Sequence, residues 1–384
     1  MTTEHALSTE LLAAIQSRAG SPDRDAIEGV RRLSALFTVG REALKERYLT
    51  EPDLRRAYLH YFMPVNVAKV TALLHELPPL PSRALRVLDL GSGPGAGALA
   101  FLVYATQRED PAHERSVVMV VDRARGALRD AEFLWSRLAP ARPGPPACAF
   151  RSLTLDLERP GIRAPWKQES FDLIIVSNSL NELFRTSADP IARRVRLLEQ
   201  VLEGMAPDGT LMIIEPALRE TTRELHQVRD RLVAKQRANV YSPCLHEHPC
   251  PALVRPDDWC HEERLWSPPP VVRKIDREVG FIKDALKFSY LLLRKDGLTI
   301  VDRDPAVHRV VSERMRMKGE QRVWLCNETG RQLVGRLDKS RSEANRPYDH
   351  WHRGAIVRVE QIERRGPVGR IGPSTRAELI RPVD

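Results

Sequence analysis

The sequence has no long hydrophobic run. Its richest apolar stretch, Gly95–Ala105, has only eleven residues, whereas a helix that spans a bilayer needs about 20. The first twenty residues carry two acids, Glu4 and Glu10, and one basic residue, Arg18. This pattern fits neither a secretory signal nor an Arg-rich, acid-poor transit peptide. We therefore expect no membrane partner and a cytoplasmic location.

Glycine and proline are not in excess, and cysteine is scarce. With 21 Gly, 29 Pro and 42% hydrophobic residues, the composition excludes collagen-like, low-complexity and mainly disordered chains. The five cysteines do not indicate a disulfide framework, because the cytoplasm keeps thiols reduced. Basic charge is what the chain has in surplus, with 60 Lys and Arg against 51 Asp and Glu. A net charge of +9 favours a polyanionic partner such as nucleic acid, and a solvated basic surface is the alternative.

The pattern of apolar residues divides the chain into regions. Helical spacing predicts a helical N-terminal region at 1–80, in which Pro64 begins the last helix. Short, continuous apolar runs predict an α/β, doubly wound sheet at 81–300, interrupted by a Cys-rich insertion at 217–275. Alternating runs then predict a small, barrel-like β module at 301–365 and a flexible tail at 366–384.

A glycine-rich turn follows the first predicted strand. Gly91, Gly93 and Gly95 occupy alternate positions between this strand and a helix, and Asp89 precedes them. Glycine allows the backbone to turn sharply and to approach a ligand closely. The spacing departs from the G-x-G-x-x-G dinucleotide fingerprint, and a carboxylate at Asp89 suits the ammonium of an amino acid better than a pyrophosphate. The turn therefore favours S-adenosylmethionine as the ligand, and it resembles that of class I methyltransferases.

Further polar residues end the next strands. Asp122 closes the second strand, where a carboxylate can accept both hydroxyls of a ribose, and Asp156 closes the third, where class I methyltransferases contact the adenine amine. Because ligands bind at the carboxyl edge of open α/β sheets, we expect these acids to lie together. Asn178 follows the fourth strand and is expected to line the same pocket. Glu182 is either a base or an acid that the dipole of the next helix stabilises. No residue can be named as catalytic.

Four cysteines form a candidate metal site. Cys244, Cys250 and Cys260 lie in the insertion, and Cys326 follows 66 residues later. Four thiolates suit zinc or an iron–sulfur cluster, and the long gap would tie the insertion to the β module. The alternative ligands are His246, His248 and His261. Cys148 is expected to be a small buried hydrophobe.

The combination of these motifs resembles the mitochondrial small-ribosomal-subunit methyltransferase-like family and its bacterial relatives. Further matching stretches are Tyr58–Pro64, Glu215-Pro216 and Lys287–Leu291. The resemblance covers roughly residues 40 to 360. It implies a [4Fe-4S] cluster on Cys244, Cys250, Cys260 and Cys326, and association with the small ribosomal subunit and its rRNA during assembly.

Three functions follow as alternatives. The first is a cofactor-binding, iron–sulfur protein of the small ribosomal subunit, acting as an assembly factor or rRNA methyltransferase. The second is a zinc-stapled methyltransferase of a protein or small molecule, and the third a non-catalytic RNA-binding module. We expect a monomer whose phosphate contacts come from the insertion helix and the β module. The candidate contacts are Arg229, Arg231, Lys235, Arg237, Arg314, Arg316 and Lys318.

Overall fold

Two β-sheets organise the computed structural model, which describes residues 7–41, 48–107, 115–139, 148–159 and 164–383. The helices are α1 Thr9–Ala19, α2 Arg24–Thr38, α3 Pro52–Leu74, α4 Ala96–Gln107, α5 Arg125–Leu138, α6 Pro190–Glu203, α7 Arg219–Ala234 and α8 Pro270–Val279. The strands of the first sheet are β1 Arg86–Leu90, β2 Val117–Asp122, β3 Ala149–Thr154, β4 Phe171–Ser177, β5 Met205–Pro216, β6 Asn239–Ser242, β7 Glu262–Leu265 and β8 Ala285–Arg294. Those of the second are β9 Val307–Val310, β10 Met315–Met317, β11 Glu320–Asn327, β12 Gly330–Leu337, β13 Ile356–Val359, β14 Glu363–Arg365, β15 Val368–Ile371 and β16 Ala377–Arg381.

The first sheet has the order β3-β2-β1-β4-β5-β8-β6, with β7 also paired to β8. The five strands from β3 to β5 are parallel, and β8 runs antiparallel to β5. The order reverses between β1 and β4, which creates the crevice where open α/β sheets bind ligands. The predicted α/β, doubly wound fold is confirmed.

Both faces of this sheet are buried. Along β1, Val87 packs into a core with α1 to α5 and α8, whereas the next residue, Leu88, packs into a second core with α6 and α7. Successive side chains of a strand point to opposite faces, so a strand covered on both sides must be apolar throughout. This requirement explains the continuous apolar runs in the sequence.

The N-terminal region differs from the prediction at Pro64. This residue does not begin a helix but lies inside α3, which is 23 residues long. Proline inside a helix removes a backbone hydrogen bond and normally disrupts it. Here α3 is buried along most of its length, against α2, α4 and β8, and this packing overrides the local preference.

The insertion does not form a separate lobe. Its strands β6 and β7 both pair with β8 and extend the first sheet beyond β5. Each is only four residues long, so the sequence offers too few alternating positions to reveal them.

The β module is larger than predicted. Its strand order is β14-β15-β12-β11-β9-β13-β16, with β10 paired to β11. The prediction of a flexible tail at 366–384 is wrong, because β15 pairs with β12 and β16 pairs with β13. These strands are short and carry few apolar residues, since only one face of each packs on the core around Trp351. In the part of the chain that the structure describes, no helix is both long and apolar enough to cross a membrane.

Candidate cofactor pocket and cysteine cavity

The predicted glycine turn connects β1 to α4 and forms one wall of a pocket. Gly91, Gly93 and Gly95 all have positive φ angles, of 65°, 52° and 86°, which L-residues with a Cβ rarely adopt. A Cβ on Gly91 would also lie 2.5 Å from the Cβ of Ser179. Both backbone conformation and close approach therefore require glycine at position 91.

Asp89 lies beneath this turn and is 1% exposed. Its Oδ2 accepts a hydrogen bond of 2.9 Å from the backbone N–H of Ala98, in the first turn of α4. Burial raises the pKa of Asp89 to about 7, although this hydrogen bond opposes the shift. The predicted acid is thus at the pocket, where it also caps the helix that follows the glycines.

Asp122 ties the end of β2 to the same turn. Its Oδ2 accepts from the N–H of Gly93 at 2.8 Å, and its Oδ1 accepts from the N–H of Ala124 at 2.7 Å. Burial raises the pKa of this carboxyl, against these two hydrogen bonds. Each carboxylate oxygen has a second lone pair, so Asp122 can position the loop and still accept from a ligand.

Asp156 and Asn178 complete the predicted set, and both line the pocket. Asn178 has a φ of 55°, and its Nδ2 donates to Asn66 Oδ1 at 3.2 Å. Six of the seven residues predicted for the cofactor line this pocket: Asp89, Gly91, Gly93, Asp122, Asp156 and Asn178. Gly95 is not among the lining residues in the described ranges; it ends the same turn, where a Cβ would lie 3.0 Å from that of Ala131.

Sequence reasoning missed the wall that the N-terminal region provides. Tyr58, Asn66 and Lys69 of α3, together with Tyr48, line the pocket. Asn66 Nδ2 donates to Tyr58 Oη at 2.9 Å within α3, and Asn66 Oδ1 accepts from Asn178 Nδ2, which links α3 to Asn178. The detectable signal was their helical spacing, since Tyr58, Asn66 and Lys69 fall on one side of α3.

Glu182 is the pocket residue predicted as a possible base. It lies in a 3-10 helix, Leu180–Glu182, and lines the pocket. Tyr48 Oη donates to its Oε1 at 3.1 Å. Burial raises the pKa of Glu182 to about 7, so a carboxyl that is ordinarily ionised can hold or release a proton near neutral pH.

The pocket encloses about 400 Å³, within the range for small-molecule sites. The acids Asp89, Asp122 and Asp156 line the pocket at the ends of β1 to β3, where Arg123 also lines it. Three lysines line it as well: Lys69 from α3, Lys283, which precedes β8, and Lys287 from β8.

The four predicted cysteines line a second, smaller cavity between the insertion and the β module. Cys326 Sγ is 3.7 Å from His246 Nε2, and the cavity encloses about 40 Å³. Burial, and then repulsion from neighbouring cysteines, raises the pKa of Cys260 to about 11 and those of Cys250 and Cys326 further. The lining includes Cys244, Cys250, Cys260, Cys326, His226, His246 and His261.

The histidines of this cavity are held neutral. Burial lowers the pKa values of His226, His246 and His261 to about 4, and the Nδ1 atom of each is buried without a hydrogen-bond partner. Nevertheless, no three Cys, His, Asp or Glu side chains among the residues described are already arranged to hold a metal ion. His248 does not line the cavity within the described set.

Arg229 does not have the role predicted for it. It is 0% exposed, so it cannot contact RNA phosphates. Its guanidinium instead donates to the carbonyl oxygens of His246 and His248 and pairs with Asp230. The sequence does not distinguish Arg229 from its neighbour Arg231, which is exposed and pairs with Asp189 on the surface.

The comparisons with known proteins agree on the family. The family model described as mitochondrial small ribosomal subunit Rsm22 matches residues 54–343. The chain belongs to the Rsm22 family. This Rsm22-family chain is 23% identical over 270 residues to the mitochondrial Rsm22-cox11 tandem proteins 1 and 2 of Schizosaccharomyces pombe. The match covers 66% of this chain and 33% of each relative, so the chain spans about a third of their length.

Solved methyltransferase structures are also similar to this Rsm22-family chain. Magnesium protoporphyrin IX methyltransferase of Synechocystis matches with a TM-score of 0.33 and 12% identity, over 72% of this chain and 99% of that one. A TehB-like methyltransferase of Corynebacterium glutamicum matches with a TM-score of 0.31 and 12% identity, over 59% and 86%. The sheet order described above is that of the predicted Rossmann-like, doubly wound sheet.

The predicted cytoplasmic location is wrong. The description of the matching family and the names of both relatives are mitochondrial. The prediction relied on the charge of the first twenty residues, which matched neither a secretory signal nor a transit peptide.

Proposed function

We propose that this Rsm22-family protein binds S-adenosylmethionine in the pocket at the glycine turn. The observation that carries the proposal is the hydrogen bond from Gly93 N–H to Asp122, which joins the glycine turn after β1 to the acid that ends β2. Asp89 would face the ammonium, Asp122 the ribose hydroxyls and Asp156 the adenine amine. Asn178 would line the methionine side.

The test for the cofactor is calorimetric titration with S-adenosylhomocysteine. We expect one site per chain, with affinity lost when Asp122 is replaced. Guanosine serves as the control ligand, because it lacks both the ammonium that Asp89 would face and the adenine amine that Asp156 would face. Binding of guanosine in preference to S-adenosylhomocysteine would contradict the assignment.

We further propose that Cys244, Cys250, Cys260 and Cys326 hold an iron–sulfur cluster. The donor set fits, since four thiols line one cavity and each disfavours the ionisation of its neighbours in the absence of a cation. A cluster would neutralise these thiolates and connect the insertion to the β module. Arg229 would fix the segment between Cys244 and Cys250 through its bonds to backbone carbonyls.

Anaerobic purification tests the cluster. We expect a brown protein with broad absorption near about 400 nm and about four irons per chain. A colourless protein with one stoichiometric zinc would favour the second candidate, a zinc staple, in which a cavity histidine could replace one thiolate.

The site of action that we propose is the small ribosomal subunit and its rRNA. Family membership and the basic surplus of the β module support this assignment, since 18 Lys and Arg stand against 12 Asp and Glu after position 300. We expect binding to small-subunit rRNA to weaken as salt increases, with a log–log slope of about −0.7 per phosphate contact on single strands. A slope near zero would contradict a phosphate-contacting surface.

Methylation of rRNA is a further candidate, and Glu182 is the observation that favours it. A buried carboxyl with a pKa of about 7 can accept the proton that an amine or hydroxyl loses on methylation. Transfer of tritium from labelled S-adenosylmethionine to small-subunit rRNA tests this candidate. Absence of transfer by a protein that binds the cofactor would favour an assembly factor.

A further inference from the structure

Lys69 is an unusual feature of the proposed cofactor pocket. It lies on α3, one turn after Asn66, and is only 8% exposed. It lines the pocket, and no hydrogen bond or ion pair joins its ammonium to another residue in the described ranges. Burying an unpaired ammonium is costly, so the position of Lys69 indicates that an anionic group binds beside its ammonium.

Two further lysines line the same side of the pocket. Lys283 precedes β8 and lies 5.8 Å from the centre of the Tyr61 ring, whereas Lys287 is on β8 and pairs with Glu263 at 3.0 Å. Lys283 repels the charged form of Lys69, and Lys287 repels that of Lys283. The three ammonium groups therefore form one local concentration of positive charge.

This group of lysines is separate from the acids that we assign to the cofactor. Among the acids in the described residues, only Glu215 has a charge that affects the pKa of Lys69, and that carboxyl is already bonded to Asn181. Neither Asp89 nor Asp122 is among the groups whose charge shifts the pKa of Lys69. The cofactor end and the lysine side of the pocket are thus electrically distinct.

We propose that Lys69, Lys283 and Lys287 form an anion subsite that receives a phosphate of the substrate beside the cofactor. The inference rests on the proposed cofactor pocket and specifies its substrate class as phosphate-bearing. Pro216, the last residue of β5, lines the pocket and pairs with Phe288, next to Lys287, so the phosphate would lie past the end of β5. An RNA backbone and a small phosphorylated compound share this chemistry.

Trace acetylation tests the subsite on the wild-type protein. Only the neutral amine reacts, and burial lowers the pKa of Lys69 to about 7, so Lys69 is expected to be acetylated readily at pH 7. A bound anion raises the pKa of a lysine by about 1 to 3 units, which slows acetylation about fivefold or more. Mass spectrometry of the peptide follows the rate with inorganic phosphate, with a short oligoribonucleotide, and with chloride at equal ionic strength.

Lys295 is the internal reference. Its ammonium donates to the carbonyl oxygens of Leu202 and Met205, outside the pocket, and burial lowers its pKa as well. We expect phosphate to protect Lys69 and not Lys295. Protection by the oligoribonucleotide also would assign the subsite to RNA, whereas protection by phosphate alone would assign it to a small phosphorylated ligand. Equal rates in phosphate and chloride would overturn the subsite.

A variant and a parallel titration separate this inference from the cofactor proposal. Lys283→Met removes the repulsion between the Lys283 and Lys69 ammonium groups, so the pKa of Lys69 should rise and its acetylation without phosphate should slow. Phosphate should also protect Lys69 less in this variant. Lys283→Arg keeps the charge and should preserve the rates with and without phosphate. Titration of the same wild-type sample with S-adenosylhomocysteine reports the cofactor site independently. Cofactor binding without phosphate protection overturns only the subsite, and phosphate protection without cofactor binding overturns only the cofactor proposal.

Discussion

The cofactor pocket and the cysteine cavity are built by different means. Most of the pocket comes from the turns that follow β1, β2, β3 and β4, so its acids recur at the carboxyl ends of strands that follow one another along the chain. The cavity instead draws Cys326 from β11 of the second sheet and three cysteines from the insertion. A site made of local turns can tolerate movement elsewhere, whereas a site shared between two regions depends on their docking.

The largest effect is expected at the cavity. Cys326→Ser removes the thiol that the β module contributes. Replacing a residue that only orients a metal ligand typically lowers metal affinity about 10- to 100-fold, and we expect a larger loss of metal here. The β module should also loosen, because a metal site that joins two regions contributes to their folding. Metal analysis and limited proteolysis at 295–306 measure the two effects.

Cys148→Ser is the matched control for that change. Cys148 is buried against the first sheet and does not line the cavity, so its replacement should leave metal content intact. Equal metal content in Cys326→Ser and Cys148→Ser would break the contrast between the two sites and remove Cys326 from the ligand set.

The next effect is expected at the glycine turn. Gly91→Ala places a Cβ at a φ of 65° and 2.5 Å from Ser179 Cβ, which should cost about 1–2 kcal/mol for the left-handed conformation and about 1–3 kcal/mol for overpacking. S-adenosylhomocysteine affinity should fall with stability. Gly280→Ala is the control, since φ is 75° but nothing lies within 4 Å. If calorimetry and thermal unfolding find the two variants alike, the close approach at Gly91 is unimportant.

Asp122→Ala should produce a smaller, more specific loss. The variant removes a charged acceptor from the ribose and from Gly93 N–H, and hydrogen bonds to charged groups contribute about 1.5–3 kcal/mol. We expect weaker cofactor binding with metal content unchanged. Unaltered S-adenosylhomocysteine affinity by calorimetry would exclude Asp122 from the cofactor site.

The last expected effect concerns pH. The pKa of Glu182 is raised from 4.5 to about 7 by burial, so the folded state holds a proton that the unfolded state releases between these values. The free energy of unfolding should therefore decrease as pH rises from about 4.5 to 7, by up to about 1.4 kcal/mol per pH unit, and Glu182→Gln should flatten this decrease. Urea unfolding at pH 5 and pH 8 measures it, with the exposed Glu343→Gln as control. An unchanged slope in Glu182→Gln would contradict the buried position.

The sequence predicted the local parts of both sites better than the remote parts. The strands and their terminal acids could be predicted because a sheet buried on both faces requires continuous apolar runs, and parallel strands place their carboxyl ends together. The wall formed by Tyr58, Asn66 and Lys69 was missed, because helical spacing identifies one side of a helix without identifying what it faces.

Two other differences have the same physical origin. Pro64 predicted a helix start, but burial of α3 on several sides outweighs the lost backbone hydrogen bond. The strands β15 and β16 were predicted as a tail because their apolar residues are few, and because their partners β12 and β13 lie more than 15 residues away in the sequence. The pairing of β15 with β14 is local, but β14 is only three residues long. Tertiary pairing of this kind leaves little trace in a local pattern.

The central position of β8 bears on the order in which the two sites are completed during synthesis. Lys287 on this strand lines the cofactor pocket, and Ser289 and Tyr290 line the cysteine cavity. Strands β1 to β5 can pair as they leave the ribosome, because domains generally fold from the N-terminal end. The last wall of the pocket arrives only with β8, and the last thiol of the cavity arrives later with β11. A nascent chain that ends before β8 would therefore present the glycine turn without its lysines, and cofactor capture would precede metal insertion.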